Sequence, residues 1–388
     1  MDEREIRLVY MSNNSTPCQQ GRAWIEIDLD ALAHNIADIR SKIPKSTGIM
    51  AVVKANAYGH GVEKVAERMI CEGVKAFAVT SVVEGVQLRE VAPDSTILVM
   101  GYTHPGDARW LYECNLSQLV VDDIYAKALN DTGYNLRVHV AIDTGMNRLG
   151  VESSNFEEVE KVFKYADLTV EGIATHLSSP DGQNDSDTGV TRMQIESFMT
   201  VVCRLKEKGY NVGKLHAMSS YGIFNYPEFN YDYVRPGIML YGVHSIDDKT
   251  KVKTELRPVL SLKAIVAQVR RIKAGESVSY GRTFTAEKPM KIATVSIGYA
   301  DGFPRQISGN GGMGIVNGIK APVVGRVCMD MIMLDVTAIE QIKAGDTVTL
   351  IGKDGNEEIR CEEVAKTAGT ITNDILSGLS SRLPRIYR

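Results

Sequence analysis

Little in this sequence speaks for metal, membrane or nucleic acid. The six cysteines (Cys18, Cys71, Cys114, Cys203, Cys328, Cys361) are scattered, and no two form a Cys-x-x-Cys pair. That spacing offers neither a disulfide framework nor a zinc site, and it suits a reducing compartment. No apolar run approaches the roughly 20 residues that cross a bilayer. Residues 1–21, MDEREIRLVYMSNNSTPCQQG, are charged and polar and lack the apolar middle of a signal peptide. They read as a flexible extension, so the glycosylation-type matches at Asn13 and Asn14 carry no weight and the chain is expected to be cytoplasmic. A basic excess is missing too: 44 Lys and Arg against 48 Asp and Glu leave a formal charge of −4, which gives no electrostatic case for nucleic acid. Internal repeats and low-complexity linkers are absent.

What is present is a chain able to build a large core. Its 388 residues are 44% hydrophobic and 24% charged, enough for a large barrel or two domains. From residue 48 onward, short β-branched runs alternate with helical patterns. The runs are GIMAVVK, AFAVTSV (76–82), TILVMG (96–101), SQLVVDD (117–123), LRVHVAID (136–143), LTVEGIATH (168–176), GKLHAMS (213–219) and VRPGIMLYG (234–242). Helical patterns include ALAHNIADIRSKI (31–43), GVEKVAERMICEG (61–73) and MQIESFMTVVCRLKEKG (193–209), the last with Ile195, Met199, Val202 and Leu205 at helical spacing. This alternation predicts an α/β chain with a (β/α)8 barrel over residues 22–255; an open, doubly wound sheet is the alternative.

After about residue 255 the pattern changes to strands separated by Gly, Asn and Asp turns, which predicts a mainly β domain over 256–388. GNGGMG (309–314) has the form of a dinucleotide fingerprint. It follows a polar loop and leads into a strand-like run, so it lacks the strand-then-helix context that gives that fingerprint meaning.

Barrel chemistry sits where strands end. Lys54 and Tyr58 follow the first run, Arg148 the fifth and His176 the sixth. Ser219 and Ser220 follow the seventh, and Arg235 leads into the eighth. Strand ends are commonly polar, so no one of these residues is informative alone; their joint occurrence is. A partly desolvated lysine keeps some free amine and can form a Schiff base with an aldehyde. Pyridoxal phosphate (PLP) is such an aldehyde. Its phosphate would need backbone N–H groups and hydroxyls of the kind available at Ser219, Ser220, Gly237, Ile238 and Tyr58.

The stretch AVVKANAYGHG (51–61) resembles the PLP-attachment signature of the alanine racemase family. The likeness recurs in RAWIEIDLDAL, IDTGMNRLG, VRPGIMLYG, VSYGR, SIGYADG and GRVCMDMIMLDV, spanning residues 22–388. It implies a PLP enzyme that works as a head-to-tail homodimer on small amino acids and supplies D-amino acids for peptidoglycan. Carried over by motif, Lys54 would hold PLP and act as one base, and Tyr280 of a partner subunit would be the base on the other face. Arg148 would bind the substrate carboxylate and help Tyr280 ionise. Arg235 would face the pyridine nitrogen, with His176 supporting it, and Met329 and Asp330 of the partner subunit would line the substrate pocket. An arginine cannot accept the proton that a carboxylate would stabilise on the ring nitrogen, which should suppress transamination. No metal is implied.

Three positions depart from the family pattern. Ala141 stands where many members carry a lysine whose carbamate steadies the carboxylate-binding arginine, so no carbamate is expected here. Ser219 replaces an asparagine. Ser381, in SSRLPR, replaces a tyrosine that touches the phosphate and narrows the entrance, which leaves room for a side chain larger than methyl. These details resemble the catalytic domains of serine/alanine racemases associated with vancomycin resistance, so L-serine is expected as a substrate beside L-alanine. Those proteins carry a membrane domain, and this chain shows no membrane segment. A primarily serine-specific racemase, a basic-amino-acid decarboxylase of the barrel type and a non-catalytic PLP-binding protein are the other readings. Arg235 argues against the decarboxylase, and the second domain argues against the binding protein.

Overall fold

The computed structural model describes residues 21–182, 184–245 and 250–388, so all but the last residue of the expected N-terminal extension lies outside it. The chain divides into two compact units, Leu29–Val259 and a second built from Leu260–Arg388 together with the segment up to Asp28.

The first unit is a parallel eight-stranded barrel. In order around it, Tyr233–Val234 pairs with Gly48–Val52, then come Ala76–Val79, Thr96–Val99, Ser117–Val120, Leu136–Asp143, Leu168–Ala174 and Lys214–His216. A single parallel bridge, Ser219 to Arg235, joins the seventh and eighth strands, with the Arg235 N–H donating to the Met218 carbonyl at 2.8 Å. Strand residues such as Met50, Phe77, Leu98 and Val138 are fully buried, as parallel strands covered on both faces require.

Two segments differ from the sequence reading. The eighth strand is only Tyr233–Val234, and Ile238–Tyr241 is a 3-10 turn. Pro236 has no N–H to give to a ladder, and Gly237 (φ −121°, ψ −95°) turns the chain away. The long helix spans Asp185–Glu207, eight residues earlier than its apolar period suggests, because Asn184 caps it by accepting from the Asp187 N–H and its first turns are polar.

The second unit is mainly β. Leu260–Ile272 is its central strand, pairing with Thr347–Asp354 through its first half and with Met290–Val295 through its second, across a bulge between Val266 and Gln268. The strand Ala23–Ile27 belongs to this unit although its place in the chain put it with the barrel: it pairs antiparallel with Leu260–Ala264 and parallel with Arg385–Tyr387. The GNGGMG stretch leads into Met313–Val316, which turns at Asn317 and Gly318 (φ 52° and 74°) into Ile319–Pro322. That is a hairpin with no helix following it.

Candidate active site

Lys54 stands just beyond the first barrel strand, at the start of an unusual turn. Ala55, Asn56, Ala57 and Tyr58 have φ of 52°, 53°, 54° and 51°, one turn of left-handed helix without a glycine. Such backbone costs about 1–2 kcal/mol per residue and persists only where its surroundings hold it. Here the Ala55 N–H donates to Glu84 Oε1 at 2.7 Å, and the Val62 N–H donates to Asn56 Oδ1 at 2.8 Å. The half-buried Lys54 has its pKa lowered, first by burial and then by the Arg148 charge, with Glu84 opposing.

The turn delivers Tyr58 to a cradle formed by the seventh and eighth strand ends. Burial pushes the Tyr58 phenol up to about 12, so it is a neutral donor at physiological pH. A Cβ on Gly237 would lie 2.7 Å from the Tyr58 hydroxyl, so the backbone there approaches as only glycine allows. The Gly237 N–H donates to Ser220 Oγ at 2.9 Å. Ser220–Asn225 and Ile238–Tyr241 begin at this point, and the first N–H groups of a helical turn have no acceptor within it. Tyr58, Ser219, Ser220, Gly237 and Ile238, all singled out in the sequence, therefore converge, with Ser219 entering through its bridge to Arg235.

Arg235 is buried beside them. Its Nη1 donates to the His216 carbonyl at 2.6 Å and to His216 Nδ1 at 2.8 Å. Its Nη2 donates to the Thr175 carbonyl at 2.7 Å and, at 3.3 Å, to the Ala217 carbonyl and His176 Nδ1. Burial, then Arg148, lowers its pKa to about 10, which leaves it charged at neutral pH.

Because arginine only donates, His216 Nδ1 must accept, and its proton sits on Nε2. That Nε2–H faces His139 Nδ1 at 2.8 Å, so His139 is likewise neutral with its proton on Nε2. Burial and then neighbouring cations lower His139 and His176 to about 3 and put His216 well below its usual value. His139 and His216 escaped the sequence reading although both lie within strand runs, LRVHVAID and GKLHAMS.

Arg148 is exposed on the turn after the fifth strand. Asp143 Oδ1 shapes that turn by accepting from the N–H groups of Gly145, Met146 and Asn147 at 2.9, 3.0 and 3.1 Å.

The second unit carries the remaining residues. Tyr280 is 72% exposed and Met329 53%, unusual values for large apolar side chains. Both line a concavity of about 540 Å³ together with Cys328 and Asp330. Ser279, just before Tyr280, has φ 68° and ψ −177°, a region used almost only by glycine. Its Oγ donates to the Arg326 carbonyl at 2.7 Å.

Asp330 is not a free anion: Arg382 Nη2 donates to it at 2.7 Å, and Arg22 lies at 3.6 Å. Ser381 is exposed in the turn that carries Arg382. Glu84, Ser279 and Arg382 were invisible in the sequence, since their roles depend on backbone groups and carboxylates distant in the chain.

Residues 27–245 match the alanine racemase N-terminal domain and residues 259–387 the alanine racemase C-terminal domain. The chain is 40% identical over 368 residues to the alanine racemase of Carboxydothermus hydrogenoformans, covering 94% of this chain and 99% of that protein. It is 42% identical over 368 residues to an amino-acid racemase of Enterococcus faecalis, covering 95% of this chain and 52% of that protein, about half its length. The crystal structure of alanine racemase from Bartonella henselae with covalently bound pyridoxal phosphate superposes with a TM-score of 0.83 at 32% identity, covering 95% of this chain and 100% of that one.

Proposed function

The chain belongs to the alanine racemase family, and from that premise we propose that it interconverts the L and D forms of alanine and also of serine. The family is PLP-dependent, and the residues fit that cofactor. The Tyr58 and Ser220 hydroxyls meet at the Gly237 backbone, the kinds of group a phosphate cradle is built from, with a lysine at the neighbouring strand end. When bound there, PLP supplies the electron sink that lets an α-proton leave.

The rest falls to the chain's own groups. Lys54 Nζ, with its pKa lowered, carries the cofactor and exchanges a proton on one face of the substrate carbon. Tyr280 Oη exchanges the proton on the other face. Its exposure in the protomer supports a site completed by the second unit of a partner subunit in a head-to-tail homodimer. Met329 and Asp330 of that unit line the substrate pocket beside it. Arg148 binds the substrate carboxylate. Arg235 faces the ring nitrogen as a donor-only group. Its own partners among the described residues are carbonyls and histidines, and an arginine cannot take up a proton as a carboxylate would, which disfavours transamination. The D-amino acids would serve peptidoglycan synthesis in the cytoplasm.

The observation that carries this reading is the convergence of Lys54, Tyr58, Ser220, Gly237 and Arg235 at one end of the barrel. Serine activity is supported by Ser381 in place of the tyrosine expected at the entrance. A second reading, in which serine is the main substrate, rests on the same Ser381; the relative named an amino-acid racemase is not confined to alanine by that name. The test is kcat/KM for L-alanine and L-serine in the wild type and in Ser381→Tyr. We expect both substrates to turn over and the substitution to lower the serine-to-alanine ratio about tenfold. An unchanged ratio would refute the role of Ser381, and a protein that exchanges no α-proton would refute the racemase.

A further inference from the structure

We propose that Glu84 is a positioning residue for Lys54: its carboxylate ties two successive strand-end loops together and fixes the left-handed turn that the lysine begins. The proposal rests on the reading of Lys54 as the cofactor-bearing lysine.

Glu84 lies in the first turn of the helix Val82–Val91, which follows the second barrel strand. An ordinary capping box would explain part of its geometry. Ser81 Oγ accepts from the Glu84 N–H at 3.2 Å, and the carboxylate accepts in return from the Ser81 N–H at 3.3 Å. The box does not explain the two shorter bonds. Oε2 accepts from the Thr80 N–H at 2.8 Å. Oε1 reaches a different loop, 29 residues away in sequence, to accept from the Ala55 N–H at 2.7 Å.

Ala55 follows Lys54 directly and is the first of the four successive positive-φ residues of this turn. Its N–H opens the turn, so the bond from Glu84 acts where the backbone departs from the strand. Three N–H donors thus converge on two carboxylate oxygens. Glutamine keeps one carbonyl oxygen and turns an NH2 group toward backbone donors, so it can serve one loop but not both. Alanine serves neither.

The test compares the full-length wild type with Glu84→Gln, Glu84→Ala and, as a control for the helix cap alone, Ser81→Ala. One readout is hydrogen exchange of the segment 53–58. The other is the rate at which apo-protein given PLP develops the visible absorption of the lysine-bound cofactor. We expect Glu84→Ala to speed exchange in that segment and slow cofactor attachment by roughly 10- to 100-fold, the range for loss of a hydrogen bond to a charged acceptor. Glu84→Gln should fall between, and Ser81→Ala should match the wild type in both.

If Glu84 only caps its helix, Ser81→Ala and the Glu84 variants will behave alike, and the proposal fails. Should Glu84→Ala not fold, Glu84→Gln against Ser81→Ala decides. A wild type that never develops the absorption refutes the cofactor reading instead. Exchange at 53–58 still judges the tie in that case, and exchange left unchanged in Glu84→Gln and Glu84→Ala overturns it.

Discussion

Tyr280 can be picked out from VSYGR by motif, but the conformation that presents it cannot. Ser279 carries a Cβ where φ 68° and ψ −177° suit glycine, and Gly325 leaves the space for it, since a Cβ there would meet Ser279 Cβ at 2.8 Å. The Ser279 hydroxyl holds the strained residue to the Arg326 carbonyl. We expect Ser279→Gly to be more stable than Ser279→Ala by about 1 kcal/mol or more, the strain released once both have lost the hydroxyl tether, as measured by urea unfolding. The freed loop should lower kcat about tenfold through lost orientation of Tyr280. A variant that is both more stable and fully active would show that the strain has no function. Ser279→Ala, which keeps the strain and loses its tether, should be less stable than the wild type.

At the scale of the element, VRPGIMLYG reads as a complete strand because β-branched and apolar residues dominate it. The structure ends the strand at Val234 and makes the rest a turn whose carbonyls and N–H groups face other partners. The Val52 N–H donates to the Pro236 carbonyl at 3.0 Å, and the Tyr241 hydroxyl donates to the Val52 carbonyl at 3.0 Å. Pro236 therefore still completes the barrel through its carbonyl while Gly237 redirects the chain toward Tyr58. Gly237→Ala should force Tyr58 aside. We expect the affinity of the apo-protein for PLP to fall by a factor on the order of 10–100, the worth of one charged hydrogen bond, measured by equilibrium dialysis. Unchanged affinity would mean that the Gly237–Tyr58 closure does not serve the phosphate.

Across the whole molecule, two buried histidines, His139 and His216, and the half-buried His176 tie stability to pH. His139, His176 and His216 all have folded pKa values depressed below 6.5, about 3 for the first two. A base with a depressed folded pKa is neutral when folded and gains a proton on unfolding. Its contribution is complete above pH 6.5 and is lost as pH falls from 6.5 toward the folded value. Each group should remove up to about 1.4 kcal/mol of stability per pH unit in that window. Urea unfolding at pH 7.5 and 5.0 should show this loss, and His139→Gln should make it shallower. A fold equally stable at both values would contradict the neutral pair that Arg235 enforces.

Sequence alone determined the class of the fold and the motifs of the chemistry, because both depend on local order. Alternating β-branched and helical runs call for a parallel sheet covered on both faces, as a barrel or an open doubly wound sheet provides, and polar residues at strand ends mark one rim. AVVKANAYGHG and VSYGR single out the lysine and the tyrosine proposed as the two bases through neighbours in the chain. Only the tertiary structure decided what holds those residues in place. It joined Ala23–Ile27 to a strand more than 230 residues later, gave Arg235 three carbonyls and two histidines from two strand ends, and brought Glu84 to the N–H beside Lys54. Hydrogen bonds of that kind are made to backbone groups, which every residue possesses, so no residue type announces them. They exist only once the chain has closed.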